Sequence, residues 1–279
     1  MKEVRFFHLS SGYKLAYSIY GISTFQRPVF FFHGFPGSRL EGEFVDQVAT
    51  ELGLSIVTID RPGFGRSDYI PERSLLDWPS NVLEVARSLG IEKFSVLGLS
   101  GGCPYTLACA FRLPREVTRA ITVSGLGPID HPDATKEMVV FNRLMLRTAV
   151  TMPVLANLIV RVVGTVGSAV PESFLVILRR MVPWCDKQML SRPGVEKLIL
   201  RDIKESLRQR GRGAIRELAI FSRPWGFDLA EIKCPVTIWH GEADSYVPCQ
   251  MARWMAAKIP GSRANYVPGG GHFMIVEKA

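Results

Sequence analysis

Four short apolar runs, PVFFFHG, LSIVTID, KFSVLGLS and RAITVSG, punctuate the first half of the chain. Stretches with the 3.6-residue period of amphipathic helices separate them, such as the one carrying Phe44, Val45, Val48, Ala49 and Leu52. Runs that are apolar on both faces leave no side for water, so they predict strands of a parallel sheet covered by helices above and below. A fifth run, CPVTIWHG, ends at Gly241, and a sixth begins near Ala264. Ahead of them, Glu3 to Leu9 and Lys14 to Gly21 flank SSGY and are rich in aromatic and β-branched residues, which predicts an antiparallel hairpin. The sum is an α/β fold with a mostly parallel sheet of about eight strands and helices on both faces.

Between Gly125 and Cys234 the strand pattern gives way to long helical stretches interrupted by Pro153, Pro171, Pro183 and Pro193. This pattern divides the chain into a core, residues 1–127 and 226–279, and an inserted helical cap, residues 128–225. The 279 residues are 47% hydrophobic and 22% charged, enough apolar material for one substantial core. Charge is unevenly placed: residues 141–225 hold 15 Lys and Arg against 6 Asp and Glu, whereas the remainder holds 19 against 20. The whole positive excess therefore lies on the cap, where a solvated basic face and attraction to anionic substrates or membrane surfaces are both open readings. The start, MKEVRFFHLSSG, lacks the apolar run of a signal peptide, and no stretch has the length of a membrane span. A cytoplasmic protein without stable membrane insertion and without a nucleic-acid partner is expected. Five cysteines without a C-x-x-C pair indicate neither a disulfide framework nor a zinc site.

Candidate chemistry concentrates at strand ends. Gly98-Leu99-Ser100-Gly101-Gly102 fits G-x-S-x-G, after one strand-like run and before a helical run from Pro104 to Phe111. In such a turn the serine takes a strained conformation that pushes its hydroxyl beyond the sheet edge. Side chains two positions to either side would collide with the adjoining strand and helix, and Gly98 and Gly102 remove them. Serine is a poor nucleophile unless a base, and a group orienting that base, lie nearby. Asp244, just past the fifth run, and His272, in a glycine loop 28 residues further on, supply both.

The order Ser, Asp, His is that of α/β-hydrolases, and the chain resembles that family over nearly its whole length. HGFPGS (33–38) resembles the family's H-G-x-P-G oxyanion loop, and DRPGFGRSD (60–68) its D-x-x-G-x-G-x-S turn. The resemblance implies an α/β-hydrolase fold and an oxyanion hole formed by the backbone N–H groups of Phe35 and Gly101. His33, Gly34, Gly98 and Gly102 would support the loop and the elbow, and no cofactor or metal would be required. It also makes Asp130, past the fourth run, the rival to Asp244 as the triad acid. Asp60 and Ser67 are expected to hold their own turn, His33 and His240 to be structural or pocket-lining, and Cys103 to pack against its helix. Gly101 stands where many relatives carry a bulkier residue and is expected to leave room beside the oxyanion. Only seven residues follow His272, which predicts a short closing helix. A homodimer is one arrangement that would cover the surface such a helix leaves.

These readings converge on a serine hydrolase acting on a small-molecule apolar or aromatic carboxylic ester. A carbon–carbon bond hydrolase, a proline iminopeptidase-like amidase and a hydrolase-like small-molecule receptor remain as alternatives. The amidase is disfavoured because no acidic site is clearly placed in the sequence for a substrate amine.

Overall fold

The computed structural model describes residues 2–129 and 134–278. Eight strands form one sheet: β1 (Arg5–His8), β2 (Lys14–Gly21), β3 (Pro28–Phe32), β4 (Ser55–Ile59), β5 (Phe94–Leu99), β6 (Val117–Val123), β7 (Val236–Gly241) and β8 (Arg263–Val267). Their spatial order is β1-β2-β4-β3-β5-β6-β7-β8. The hairpin β1–β2 attaches antiparallel to β4, and every pairing from β4 through β3 to β8 is parallel. The central strands carry the runs that are apolar on both faces: Phe30, Phe31 and Phe32 of β3 are all fully buried, as is every residue of β4.

Helices cover both sides, as that pattern requires. Among the first helices, α1 (Asp46–Glu51) contributes Ala49 to an apolar cluster on one face, whereas α2 (Trp78–Ser88) and α3 (Cys103–Arg112) build the larger cluster on the other. Trp78 anchors that larger side, meeting the rings of Phe32 and Tyr105 edge-on at centroid distances of 5.5 and 5.8 Å.

Among the described residues six helices lie between β6 and β7: α4 (Val140–Thr151), α5 (Pro153–Ala169), α6 (Pro171–Met181), α7 (Trp184–Leu190), α8 (Pro193–Ser206) and α9 (Arg212–Phe221). Pro153, Pro171 and Pro193 each open a helix at its first position, where the missing N–H is lost at no cost, and Pro183 caps α7. The prolines therefore set where helices start. Helices α6, α7 and α8 share a small apolar cluster of their own that includes Leu178, Leu190 and Ile203. After β7, α10 (Cys249–Lys258) joins the larger core, and the four-residue α11 (Ile275–Lys278) adds Ile275 to the smaller one. Among the described residues no helix is long and apolar enough to cross a membrane.

The parallel strands all end on one edge. Ser100, Asp244 and the loop at His33 follow β5, β7 and β3, and His272 follows β8 on that same edge, where open α/β sheets bind their ligands.

Candidate active site

Ser100 sits between β5 and α3 with φ +51°, a left-handed conformation that a serine adopts only where the surroundings enforce it. The two flanking glycines are what the turn demands. A Cβ on Gly98 would lie 2.7 Å from the Gly102 carbonyl oxygen, and one on Gly102 would lie 2.8 Å from that of His33. The turn projects the Ser100 hydroxyl to His272, whose Nε2 lies 3.0 Å from Oγ.

On the other side of the ring, His272 Nδ1 donates to Asp244 Oδ2 at 2.8 Å. That bond fixes the tautomer, leaving Nε2 free to accept the serine proton. Asp244 is itself held: Oδ1 accepts the Tyr246 and Val247 N–H groups at 2.9 Å each, and the buried His240 lies 3.3 Å from Oδ2. Burial alone would raise the Asp244 carboxyl, but His272 beside it and the hydrogen bonds from both histidines bring it down to about 2. Burial alone would likewise depress His272, yet Asp244, helped by the Asp186 and Glu41 carboxylates, more than offsets this and holds the imidazole above its ordinary value. The rival acid, Asp130, lies outside the described residues.

The loop after β3 runs beside the serine. The Gly101 amide opens the helical turn leading into α3, where N–H groups have no intrahelical acceptor. Gly101 does not leave the room expected beside the oxyanion. A Cβ there would stand 2.6 Å from Phe35 Cβ and 3.3 Å from the Phe221 ring, so these two aromatic side chains fill the space that a bulkier residue would take. That position also lies 3.4 Å from Phe35 N, so the Phe35 amide stands next to the Gly101 backbone.

His33 and His240 are both fully buried and structural. His33 Nδ1 donates to the Gly34 carbonyl while Nε2 accepts the Arg61 N–H at 3.2 Å, and burial together with the nearby guanidinium keeps the ring neutral. His240 Nε2 donates to the Val247 carbonyl at 2.8 Å. Asp60 does more than brace its own turn. Besides the Arg66 N–H and the link between its carbonyl and Ser67, it accepts Arg39 from the oxyanion-loop segment at 2.6 Å. Cys103 is fully buried, with its thiol pushed up by burial, and is inert packing.

Two cavities meet at Ser100. The first, about 150 Å³, is walled by Leu126, Met145, Val163 and Leu218 among others, and Asn142 is the one amide side chain among the described residues lining it. A volume of that order holds a benzene-sized ring. The second is lined by Ser100 and His272 together with two buried carboxyls, Glu41 and Asp202. Glu41 Oε2 accepts the Gly34 N–H at 2.7 Å, and Asp202 Oδ1 accepts the Ser38 hydroxyl at 2.5 Å. Two acids that the sequence did not bring together therefore line one cavity with the serine, Glu41 from the oxyanion-loop segment and Asp202 from α8.

Burial pushes Glu41 up to about 7, although the Gly34 N–H and Arg61 pull the other way, and Asp202 is raised by its own burial and by Glu41 beside it. A carboxyl raised in the folded state contributes stability that is present below its ordinary value of 4.5 and is lost as pH rises through about 7. Glu41→Gln keeps an acceptor for the Gly34 N–H and removes that titration. Thermal unfolding at pH 5 and pH 8 should show the variant gaining on the wild type at the higher pH by an amount of the order of 5 °C. Parallel melting curves across that range would refute the assignment.

Asp186, on α7, is a further residue that local sequence did not mark. Its carboxylate, 1% exposed, accepts the backbone N–H groups of His272 at 2.8 Å and Phe273 at 2.9 Å. An inserted helix thus holds the histidine loop in place.

A sequence model described as the Alpha/beta hydrolase family matches residues 29–279. The chain is 26% identical over 273 residues to the uncharacterised hydrolase YcgS of Bacillus subtilis (strain 168), an alignment spanning 96% of this chain and 91% of that protein. Among solved structures it is similar to the esterase EaEST of Exiguobacterium antarcticum, with TM-score 0.71, 18% identity, and 99% and 95% of the two chains covered. It is similar also to the enol-lactonase of Burkholderia xenovorans LB400, with TM-score 0.70, 20% identity, and 98% and 95% covered. At those identities the structural likeness speaks for the fold alone.

Proposed function

The chain belongs to the alpha/beta hydrolase family, and from that premise we propose that it is a serine hydrolase cleaving a small apolar or aromatic carboxylic ester through an acyl-enzyme. The observation carrying this reading is the relay from Ser100 through His272 to Asp244, with links of 3.0 and 2.8 Å, at the mouth of an apolar cavity.

His272 Nε2 takes the hydroxyl proton as Ser100 Oγ attacks the ester carbonyl, and Asp244 stabilises the imidazolium that forms. The carbonyl oxygen, now carrying the charge, turns to the N–H groups of Phe35 and Gly101. As the tetrahedral intermediate collapses, the ester C–O bond breaks and His272 returns its proton to the leaving alkoxide. Water then repeats the sequence on the acyl-enzyme, releasing the acid and free Ser100.

The cavity volume favours a ring or a short branched chain as the acyl group. Initial rates on p-nitrophenyl esters, from acetate to palmitate and including benzoate, test both parts. Turnover should peak at short or aromatic acyl groups, and Ser100 should react with a fluorophosphonate probe. Folded protein that takes the probe yet hydrolyses none of these esters would exclude the ester reading.

One observation favours a second reading, a substrate whose leaving group carries an amine: Glu41 and Asp202 share the second cavity with Ser100 and His272. At pH 8, above the value to which burial pushes Glu41, a 2-aminoethyl ester should then exceed its propyl isostere in kcat/KM by about tenfold or more, as paired charge recognition allows. Asp202→Asn should erase the preference and spare the propyl ester. Equal rates on the two esters in the wild type would rule this reading out.

A further inference from the structure

The inserted helices carry an outer face that the chemistry at Ser100 does not use. Among the described residues, 14 of the 18 large apolar side chains left exposed fall between Val140 and Trp184. Helix α5 shows the arrangement most clearly. Ile159, Val160, Val163 and Gly164 face inward and wall the cavity, while Val154, Leu155, Leu158, Val162 and Val166 recur at helical spacing on the opposite side and are exposed, Val154 by 82%. Packing puts α4 and α6 on either side of α5, over α8 and α9, and these flanking helices add Leu144, Val150 and Ile177. Trp184, at the start of α7, is 70% exposed. Soluble proteins rarely leave contiguous apolar patches of this extent uncovered, and those that do use them to bind.

Charge identifies the occupant. Residues 140–192 hold seven Lys and Arg against two acids, and one of those, Asp186, is buried against the His272 loop. Arg143, Arg147, Arg161 and Arg180 are exposed on the same helices as the apolar residues. A second copy docked face to face would bring like charges together with Glu172 as the exposed carboxylate available on each side, whereas an anionic surface answers both the charge and the apolar ridge. An exposed tryptophan among basic side chains suits the headgroup level of a bilayer. We propose that the outer face of α4, α5 and α6, with Trp184, docks the protein peripherally on an anionic phospholipid surface, the helices lying in its plane. Because α5 carries the cavity wall on its other side, docking places the cavity against the lipid that would hold an apolar ester, and α7 carries both Trp184 and Asp186.

The test is co-sedimentation with vesicles of phosphatidylcholine alone and of phosphatidylcholine with one-third phosphatidylglycerol, a readout independent of any activity. Partition onto the anionic vesicles should be at least about tenfold stronger. Leu158→Glu/Val162→Glu should abolish it, and Arg143→Glu/Arg161→Glu should weaken it by about tenfold or more. Both variants should keep the wild-type melting temperature and ester kcat/KM in the absence of vesicles. Failure to bind either vesicle, or equal binding to both, would overturn the proposal. So would a dimer by light scattering that Leu158→Glu/Val162→Glu dissociates, since a second copy would then own the face.

Discussion

Ser100→Ala is expected to lower kcat on the preferred p-nitrophenyl ester by about 10⁴- to 10⁶-fold, and His272→Ala by the same amount. The two atoms stand 3.0 Å apart and act as one unit, so the double variant should lose nothing further. Ser100→Ala disturbs little packing. Alanine at position 100 keeps the backbone and the flanking glycines of the elbow, so the melting temperature should stay within about 2 °C. Asp244→Asn is the informative partner. It preserves shape but removes the charge that holds His272 above its ordinary value, so the imidazole should become easier to deprotonate. The base is active when neutral, and the acid limb of kcat/KM should therefore move to lower pH even as the plateau falls by about 10⁴-fold. Asp244, held near 2, stays ionised throughout such a profile and adds no limb of its own. Residual turnover above about 1% in Ser100→Ala would mean that another group performs the attack.

Ser100, Asp244 and His272 were legible because each is announced locally, by a strand-like run and then by turn residues in a fixed order. The sheet's parallel part was legible for the same reason, since β3 and β4 have no polar face to misplace. What pairs across the chain was not. The hairpin's attachment to β4, rather than to the next strand in sequence, joins residues about 40 apart and leaves no local mark. Asp186 lies 86 residues from the loop that it holds, and Asp202 lies 164 from Ser38. On their own helices these acids read as ordinary solvated charges, and only tertiary packing buries them. Gly101 shows a local reading failing: the missing side chain suggested space, but the neighbouring loop delivers Phe35 into it.

The same blindness hides the ion cluster whose loss should cost the most stability. Glu217 of α9 and Arg61 of the turn after β4 are both fully buried, 156 residues apart, with Arg61 Nε 2.5 Å from Oε1 and Nη2 2.9 Å from Oε2. Arg73 adds a third bond to Oε1 at 3.1 Å and donates to the Tyr105 hydroxyl at 2.7 Å. Arg61 also donates to the carbonyls of His33 and Gly34, so the cluster links an inserted helix to the root of the oxyanion loop. Glu217→Ala leaves two guanidiniums without their counter-ion in a site closed to water. Removing one partner of such a cluster costs about 3–5 kcal/mol, which lowers the melting temperature of a chain of this size by about 10 °C. Glu217→Gln, which retains one acceptor oxygen, should lose less. Arg61→Met/Glu217→Met, which removes charge from both sides of the principal pair, should recover part of the loss if the unpaired charge, rather than the missing contact, is what destabilises. A Glu217→Ala protein melting within about 2 °C of the wild type would show that water reaches the cluster and that the inserted helices are held to the core by other contacts.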